Sequence, residues 1–239
     1  MQYLYLIYNL SYFLLIPAFI AAFWAQINVS VTFNKANKFR TGMTGYDAAR
    51  RILDENGLHD VRIERVSGNL TDHYDPRSNV IRLSESVYDN SSAAAVGVAA
   101  HEAGHAVQYA VGYSPVRLRT AIIPVCSIGS NAAMPLFLIG LLLAAYGAQG
   151  DLGYLLMLLG IVFYSFATFF QIVTLPVEFN ASRRAMAALE GSGSLSSEEL
   201  KASNKVLKAA ALTYVAALAV SLLNLLRLIA IAMGGRSRR

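Results

Sequence analysis

The sequence predicts an α-helical integral membrane protein with four transmembrane helices and one small α+β region, and three observations carry that expectation. Apolar residues make up 55% of the 239-residue chain and mean hydropathy is +0.44, which is unusual for a soluble protein. Four stretches are long and apolar enough to cross a hydrocarbon core of roughly 30 Å, which takes about 20 helical residues. One polar block, residues 25 to 119, carries helix-like and strand-like periodicities and is large enough for a small domain.

The apolar stretches are residues 3 to 24, 120 to 147, 152 to 177 and 209 to 233. The last contains Arg227, whose long side chain can snorkel to the interface. Asn224 and Arg227 are read there as polar groups that pack helices together. The first stretch has no basic residues before its apolar run. Phe23-Trp24-Ala25-Gln26 places aromatics where a signal-peptide cleavage site wants small residues, so the stretch reads as a retained anchor.

Within the polar block, Thr44 and Asp47 form a capping-box pattern opening a helix whose Ala48, Ala49, Ile52 and Leu53 face inward and whose end is Gly57. Residues 61 to 66 alternate as a strand does, residues 67 to 76 are rich in turn formers, and residues 79 to 83 alternate again. That predicts a short antiparallel sheet. Residues 91 to 113 read as a buried, Ala-rich helix with Ser91 or Ser92 as N-cap and Gly112 near its end.

Beyond the second and third spans, Pro176 marks the exit from the membrane. Residues 177 to 190 then predict a short helix ending at Gly191. A Gly/Ser linker follows, and Ser196 with Glu199 caps a helix that enters the fourth span. The chain thus divides into an anchor (1–24), the α+β region (25–119), a transmembrane hairpin (120–177), a helix and linker (178–208) and a last span with a basic tail (209–239).

The formal charge of +5 does not imply nucleic acid, because the basic residues are spread through segments that also hold most of the Asp and Glu. Lys35, Lys38 and Arg40 after the first span, with Arg117 and Arg119 before the second, put the large polar block on the cytoplasmic side of a cell membrane. The loop at 148–151 lacks basic residues, as an outer loop should, whereas the tail Arg236 to Arg239 runs against this orientation. Cys126 is the only cysteine, so there is no intramolecular disulfide and no Cys-rich metal ribbon. Any metal here takes His and carboxylate ligands.

His101-Glu102-Ala103-Gly104-His105 is an HExxH motif on the buried predicted helix, the context that the motif requires. Four residues at about 100° each return nearly to one face, and a rise of about 6 Å lets both imidazoles converge on one ion. Two His and a Glu among Ala, Val and Gly are costly to desolvate without a partner, and Zn2+ supplies one. Zinc lowers the pKa of a bound water towards about 7. Glu102, turned beside the two histidines, is placed to take that proton as general base during attack on a peptide carbonyl.

A catalytic zinc wants a third protein ligand. His59 and His73 lie upstream of the motif in the sheet region, which favours a downstream carboxylate. Glu178, just after Pro176, stands out, although an acidic residue in a first helical turn is also favoured by the helix dipole alone.

HEAGH, a transmembrane hairpin and then Leu175-Pro176-Val177-Glu178-Phe179-Asn180-Ala181-Ser182-Arg183-Arg184-Ala185 resemble the YugP family of membrane zinc metallopeptidases. More distantly the order is similar to that of HtpX and the CAAX prenyl endopeptidases. The resemblance covers most of the chain, including the turn Leu70 to Pro76, and it implies a small zincin-like catalytic region. By it, His101, His105 and Glu178 match the zinc ligands and Glu102 the base. The HtpX-like pattern has Asp four residues after the ligand Glu, where this chain has Ser182, whose hydroxyl can still orient a ligand imidazole.

The expected function is a membrane-bound zinc endopeptidase acting on membrane or membrane-near polypeptides. His73 or Tyr74 is placed to donate to an oxyanion, although the same segment is also an ordinary Asp-Pro turn. The strand at 80–83, at a sheet edge, would bind an extended substrate by strand addition. Arg183 and Arg184 read as interfacial anchors. Three other readings stand beside the peptidase, one of them a non-peptidase zinc hydrolase such as an esterase or amidase. If residues 91 to 113 crossed the bilayer, the chain would resemble site-2-type intramembrane proteases, yet that segment carries His, Glu, His and Gln and is poor in Leu and Ile. A catalytically silent zinc-binding scaffold would have no need of Glu102.

Overall fold

The computed structural model describes residues 2–146 and 150–236. The element order is α1 (Gln2–Ala36), α2 (Gly45–Glu55), β1 (Arg62–Val66), β2 (His73–Asp75), β3 (Val80–Ser84), α3 (Ala93–Ala110), α4 (Ser114–Tyr146), α5 (Gly150–Gly191) and α6 (Ser197–Arg236). Segments of α1, α4, α5 and α6, namely Leu15–Ala36, Ser114–Ala145, Asp151–Gly191 and Ser197–Gly234, are long and apolar enough to cross a membrane. Residues 148 and 149 of the loop at 148–151, and residues 237–239 of the basic tail, lie outside the described residues.

α1 carries the first apolar stretch onward in a 35-residue helix that reaches Ala36, and one expectation about the later helices is corrected. Pro176 does not separate a span from a short helix, because α5 runs unbroken for 42 residues through it. Proline removes one backbone donor and crowds one carbonyl, a local defect that a long apolar helix absorbs.

The chain divides into two compact units. One comprises Met1–Trp24, Leu118–Thr174 and Tyr214–Arg239, the other Ala25–Arg117 and Leu175–Thr213. In the first unit, glycines let helix backbones meet: a Cβ on Gly140 would lie 2.6 Å from the Gly153 carbonyl oxygen, and one on Gly160 would lie 2.8 Å from that of Ala133. Such small residues let the backbones of long apolar helices approach closely. Thr168 and Ser221 add a hydroxyl contact of 2.8 Å. Outward faces of this unit remain apolar, with Phe13, Phe23, Ile128 and Leu142 all exposed.

The second unit is built around α3. Its core joins Phe33 of α1, Ile52 and Leu53 of α2, Ile81 and Leu83 of β3, Val96 and Ala99 of α3, and Leu189, Val206 and Leu207 from α5 and α6. The capping box is present at α2: the Asp47 amide donates to Thr44 Oγ1 at 3.1 Å, and the Thr44 amide donates to Asp47 Oδ2 at 2.9 Å. Ala48, Ala49, Ile52 and Leu53 are buried as the periodicity predicts. Ser92 is the N-cap of α3, its Oγ accepting from the Ala95 amide at 3.2 Å, and Gly112 takes the left-handed conformation past its end.

The sheet is mixed, not antiparallel, with order β1-β3-β2. β1 pairs parallel to β3, Arg62 opposite Val80, and β2 pairs antiparallel to β3, Tyr74 opposite Ile81. The cause is a strand hidden in the segment read as turn. Asp75 accepts from the Arg77 amide at 3.0 Å and from Ser78 Oγ at 2.6 Å, and Asn79 has positive φ. This tight turn folds β3 back along β2, so β3 enters between the two other strands. With both edges of β3 occupied, strand addition of a substrate at 80–83 is ruled out.

Candidate metal centre

α3 carries the HExxH residues, and α5 approaches it closely enough to bring a carboxylate against them. Gly104 permits the approach: a Cβ there would stand 2.7 Å from the Ala181 carbonyl oxygen. His101 and His105 lie one turn apart with ring centroids separated by 4.7 Å and planes at 82°. Glu178 Oε2 lies 3.3 Å from His101 Nε2 and 3.6 Å from His105 Nε2. One ligand atom from each of the three residues falls within 4.8 Å of the others.

The far nitrogen of each ring has its own partner. Ser182 Oγ is 3.1 Å from His101 Nδ1, and Gln108 Oε1 is 3.0 Å from His105 Nδ1. Gln108 is fully buried, and its Nε2 donates to the Val177 carbonyl at 2.8 Å and to Asn180 Oδ1 at 3.0 Å. A backbone carbonyl only accepts, so the amide orientation is fixed and Oε1 faces His105 as an acceptor. His105 Nδ1 is therefore the donor, and a neutral ring then turns a bare Nε2 lone pair towards the Glu178 carboxylate. Two acceptors at such range repel unless a cation lies between them. Two imidazole nitrogens, with the far nitrogen of each ring engaged, and one carboxylate oxygen form a donor set that fits zinc and leaves a fourth position for chemistry.

Glu102 lies beside this group on α3 and is buried. Burial is the main force pushing its carboxyl up to about 7, helped by the like charges of Glu178 and Asp72 and opposed by His101 and by the Tyr74 amide. That amide, on β2, donates to Glu102 Oε2 at 3.0 Å. A carboxyl balanced in this way can both take up and release a proton near neutral pH.

Among the predicted site residues, His101, Glu102, His105, Glu178 and Ser182 are brought together. His73 is exposed on β2, its Nδ1 2.9 Å from the Thr71 carbonyl. The Tyr74 hydroxyl donates to Asn79 Oδ1 at 2.9 Å, so what Tyr74 gives the site is its backbone amide. Arg184 Nε donates to Asn180 Oδ1 at 2.9 Å, which ties it to the Gln108 network. Sequence reasoning missed Gln108 and Asn180. The signal for Gln108 was available: it lies seven residues after His101 and three after His105, on the same helical face.

This donor set fits zinc, and the chain belongs to the family described as "Putative neutral zinc metallopeptidase", whose match covers residues 11–233; its cofactor is zinc. Among relatives, the chain is 49% identical over 226 residues to the "Putative membrane protease YugP" of Bacillus subtilis (strain 168), covering 94% of this chain and 97% of that protein. No solved structure matches.

Proposed function

We propose that this protein is a membrane-bound, zinc-dependent endopeptidase that cleaves membrane or membrane-near polypeptides. The observation that carries the reading is the convergence of His101 Nε2 and His105 Nε2 on Glu178 Oε2 with both Nδ1 atoms already engaged. His101, His105 and Glu178 would hold zinc, which when bound supplies a Lewis acid that acidifies water and polarises a carbonyl. Glu102 acts as the base, taking a proton on its carboxylate and delivering it to the departing amine. The Tyr74 amide on Oε2 holds that carboxylate in one orientation. His73, one residue before Tyr74, is the candidate donor to the developing oxyanion.

Membrane residence is supported by the four long apolar helices, by the exposed apolar side chains of the first unit and by the relative's name. α3 is not among the four candidate spans, which favours a site beside the membrane over an intramembrane one. Lys35, Lys38, Arg40, Arg117 and Arg119 favour the cytoplasmic face. In this reading residues 1–24 anchor the chain, 25–119 carry the motif helix, 120–177 form the transmembrane hairpin, 178–208 supply the third ligand, and 209–239 form the last span and tail.

The test is zinc content and casein cleavage by detergent-purified protein. Wild type is expected to cleave, Glu102→Gln to keep about one zinc per chain but lose cleavage, and Glu178→Ala to lose zinc. A wild type without zinc, or a Glu102→Gln variant as active as wild type, would overturn the peptidase reading.

A further inference from the structure

The second unit carries an open groove of about 680 Å³ between the end of α1 and the start of α6. Its charge is one-sided. Lys35, Lys201, Lys205 and Lys208 line it against a single carboxylate, Glu198. These are four of the five lysines in the sequence. On α6 the three lysines fall at i, i+4 and i+7, one helix face, and Asn28, Thr32 and Lys35 repeat that spacing on α1.

All four groove lysines are exposed. Among the described residues none of them forms an ion pair, whereas Arg50, Arg62, Arg65 and Arg82 of the same unit each meet a carboxylate. The groove exists because its floor is made of small side chains: Ala36, Ala202 and Ala209 are buried there. Phe39 and Leu212 add apolar wall.

We propose that this groove binds the headgroup of an anionic phospholipid, the lysine ammoniums on the phosphate and the apolar wall along the first part of an acyl chain. The site depends on the membrane reading given above. Both helices that form it contain candidate membrane spans, Leu15–Ala36 and Ser197–Gly234, so the lysine faces fall where such helices meet a headgroup layer. Clustered lysines at that depth attract anionic lipid. A free phosphate would engage the ammoniums but leave the apolar wall and most of the volume unfilled. The mixed lining therefore selects an amphiphile.

The experiment titrates full-length protein in a zwitterionic detergent with short-chain phosphatidylglycerol, phosphatidylcholine of equal chain length, and inorganic phosphate, reading bound lipid by native mass spectrometry. Phosphatidylglycerol is expected to bind at least tenfold more tightly than phosphatidylcholine. Each groove lysine removed should weaken it about fivefold, so Lys205→Gln/Lys208→Gln loses most of the preference and Lys205→Arg/Lys208→Arg restores it. Lys38→Gln/Arg77→Gln, an equal loss of charge outside the groove, should change nothing.

Equal binding of the two lipids, equal loss in the control variant, or displacement by inorganic phosphate at matched concentration would each overturn the lipid site. Failure of the membrane reading has a different signature: wild type would then stay monodisperse without detergent and ignore vesicles of either lipid. The cleavage assay is unaffected by either result, so the peptidase reading is tested apart.

Discussion

Gln108 bears on the candidate metal site without supplying a ligand atom to it. Its amide nitrogen is committed to the Val177 carbonyl and Asn180, so its oxygen fixes the proton on His105 Nδ1 and leaves Nε2 free to ligate. Replacing Gln108 by Leu removes that acceptor. Zinc affinity measured by chelator competition is expected to fall by roughly ten- to a hundredfold, and an unchanged affinity would mean that the ring needs no such support. Ser182 meets His101 Nδ1 through a single hydroxyl 3.1 Å away, which orients the ring but, able to donate or accept, does not by itself fix its proton. Ser182→Ala should cost about tenfold in zinc retention, the lower end of that range, because a hydroxyl is a weaker acceptor than an amide oxygen. Equal metal content and activity in that variant would remove Ser182 from the site. HExxH was legible in the sequence because His and Glu are rare inside an Ala-rich helix and their spacing has one obvious use. The place of Gln108 on the same helical face was legible too, but its role was not, because that rests on the Val177 carbonyl and Asn180 of another helix.

At the scale of elements, the site depends on how near α5 comes to α3. Gly104 was legible as a motif position without any hint of its packing role, which only the Ala181 backbone opposite it reveals. Gly104→Ala places a methyl group 2.7 Å from a carbonyl oxygen, which the backbone of α5 cannot yield cheaply. The expected result is a loss of about 1–3 kcal/mol in stability and weaker zinc binding, because Glu178 and Ser182 ride on the displaced segment. Melting temperature and zinc content equal to wild type would show that α5 gives way there. α2 and α3 were readable to within a few residues because caps and periodicity agreed. β2 was not, since three residues inside a polar turn segment leave no alternation to detect. It changes the sheet from antiparallel to mixed and supplies the Tyr74 amide to Glu102, so the weakest sequence signal belongs to an element that touches the candidate site.

For the whole molecule, the three candidate ligand atoms come from two segments 73 positions apart in sequence at their nearest, His105 and Glu178, yet both belong to one compact unit. Zinc bound there would tie the motif helix to α5 in the folded chain and find no such arrangement in the unfolded one. Folding and metal binding are then linked, and the stability gained grows with the logarithm of free zinc over its dissociation constant. At free zinc a thousandfold above that constant the gain is about 4 kcal/mol, a large part of the stability of a domain this size. Stripping zinc from wild type with a chelator is therefore expected to lower the melting temperature of the detergent-solubilised protein, and returning zinc to restore it. Glu178→Ala should melt near the stripped value and respond little to either treatment, while Glu102→Gln should behave as wild type does, because its carboxylate lies beside the ligand group and outside it. A Glu178→Ala variant that still gained wild-type stability from zinc would place the metal elsewhere and remove Glu178 from the ligand set, even if cleavage were lost.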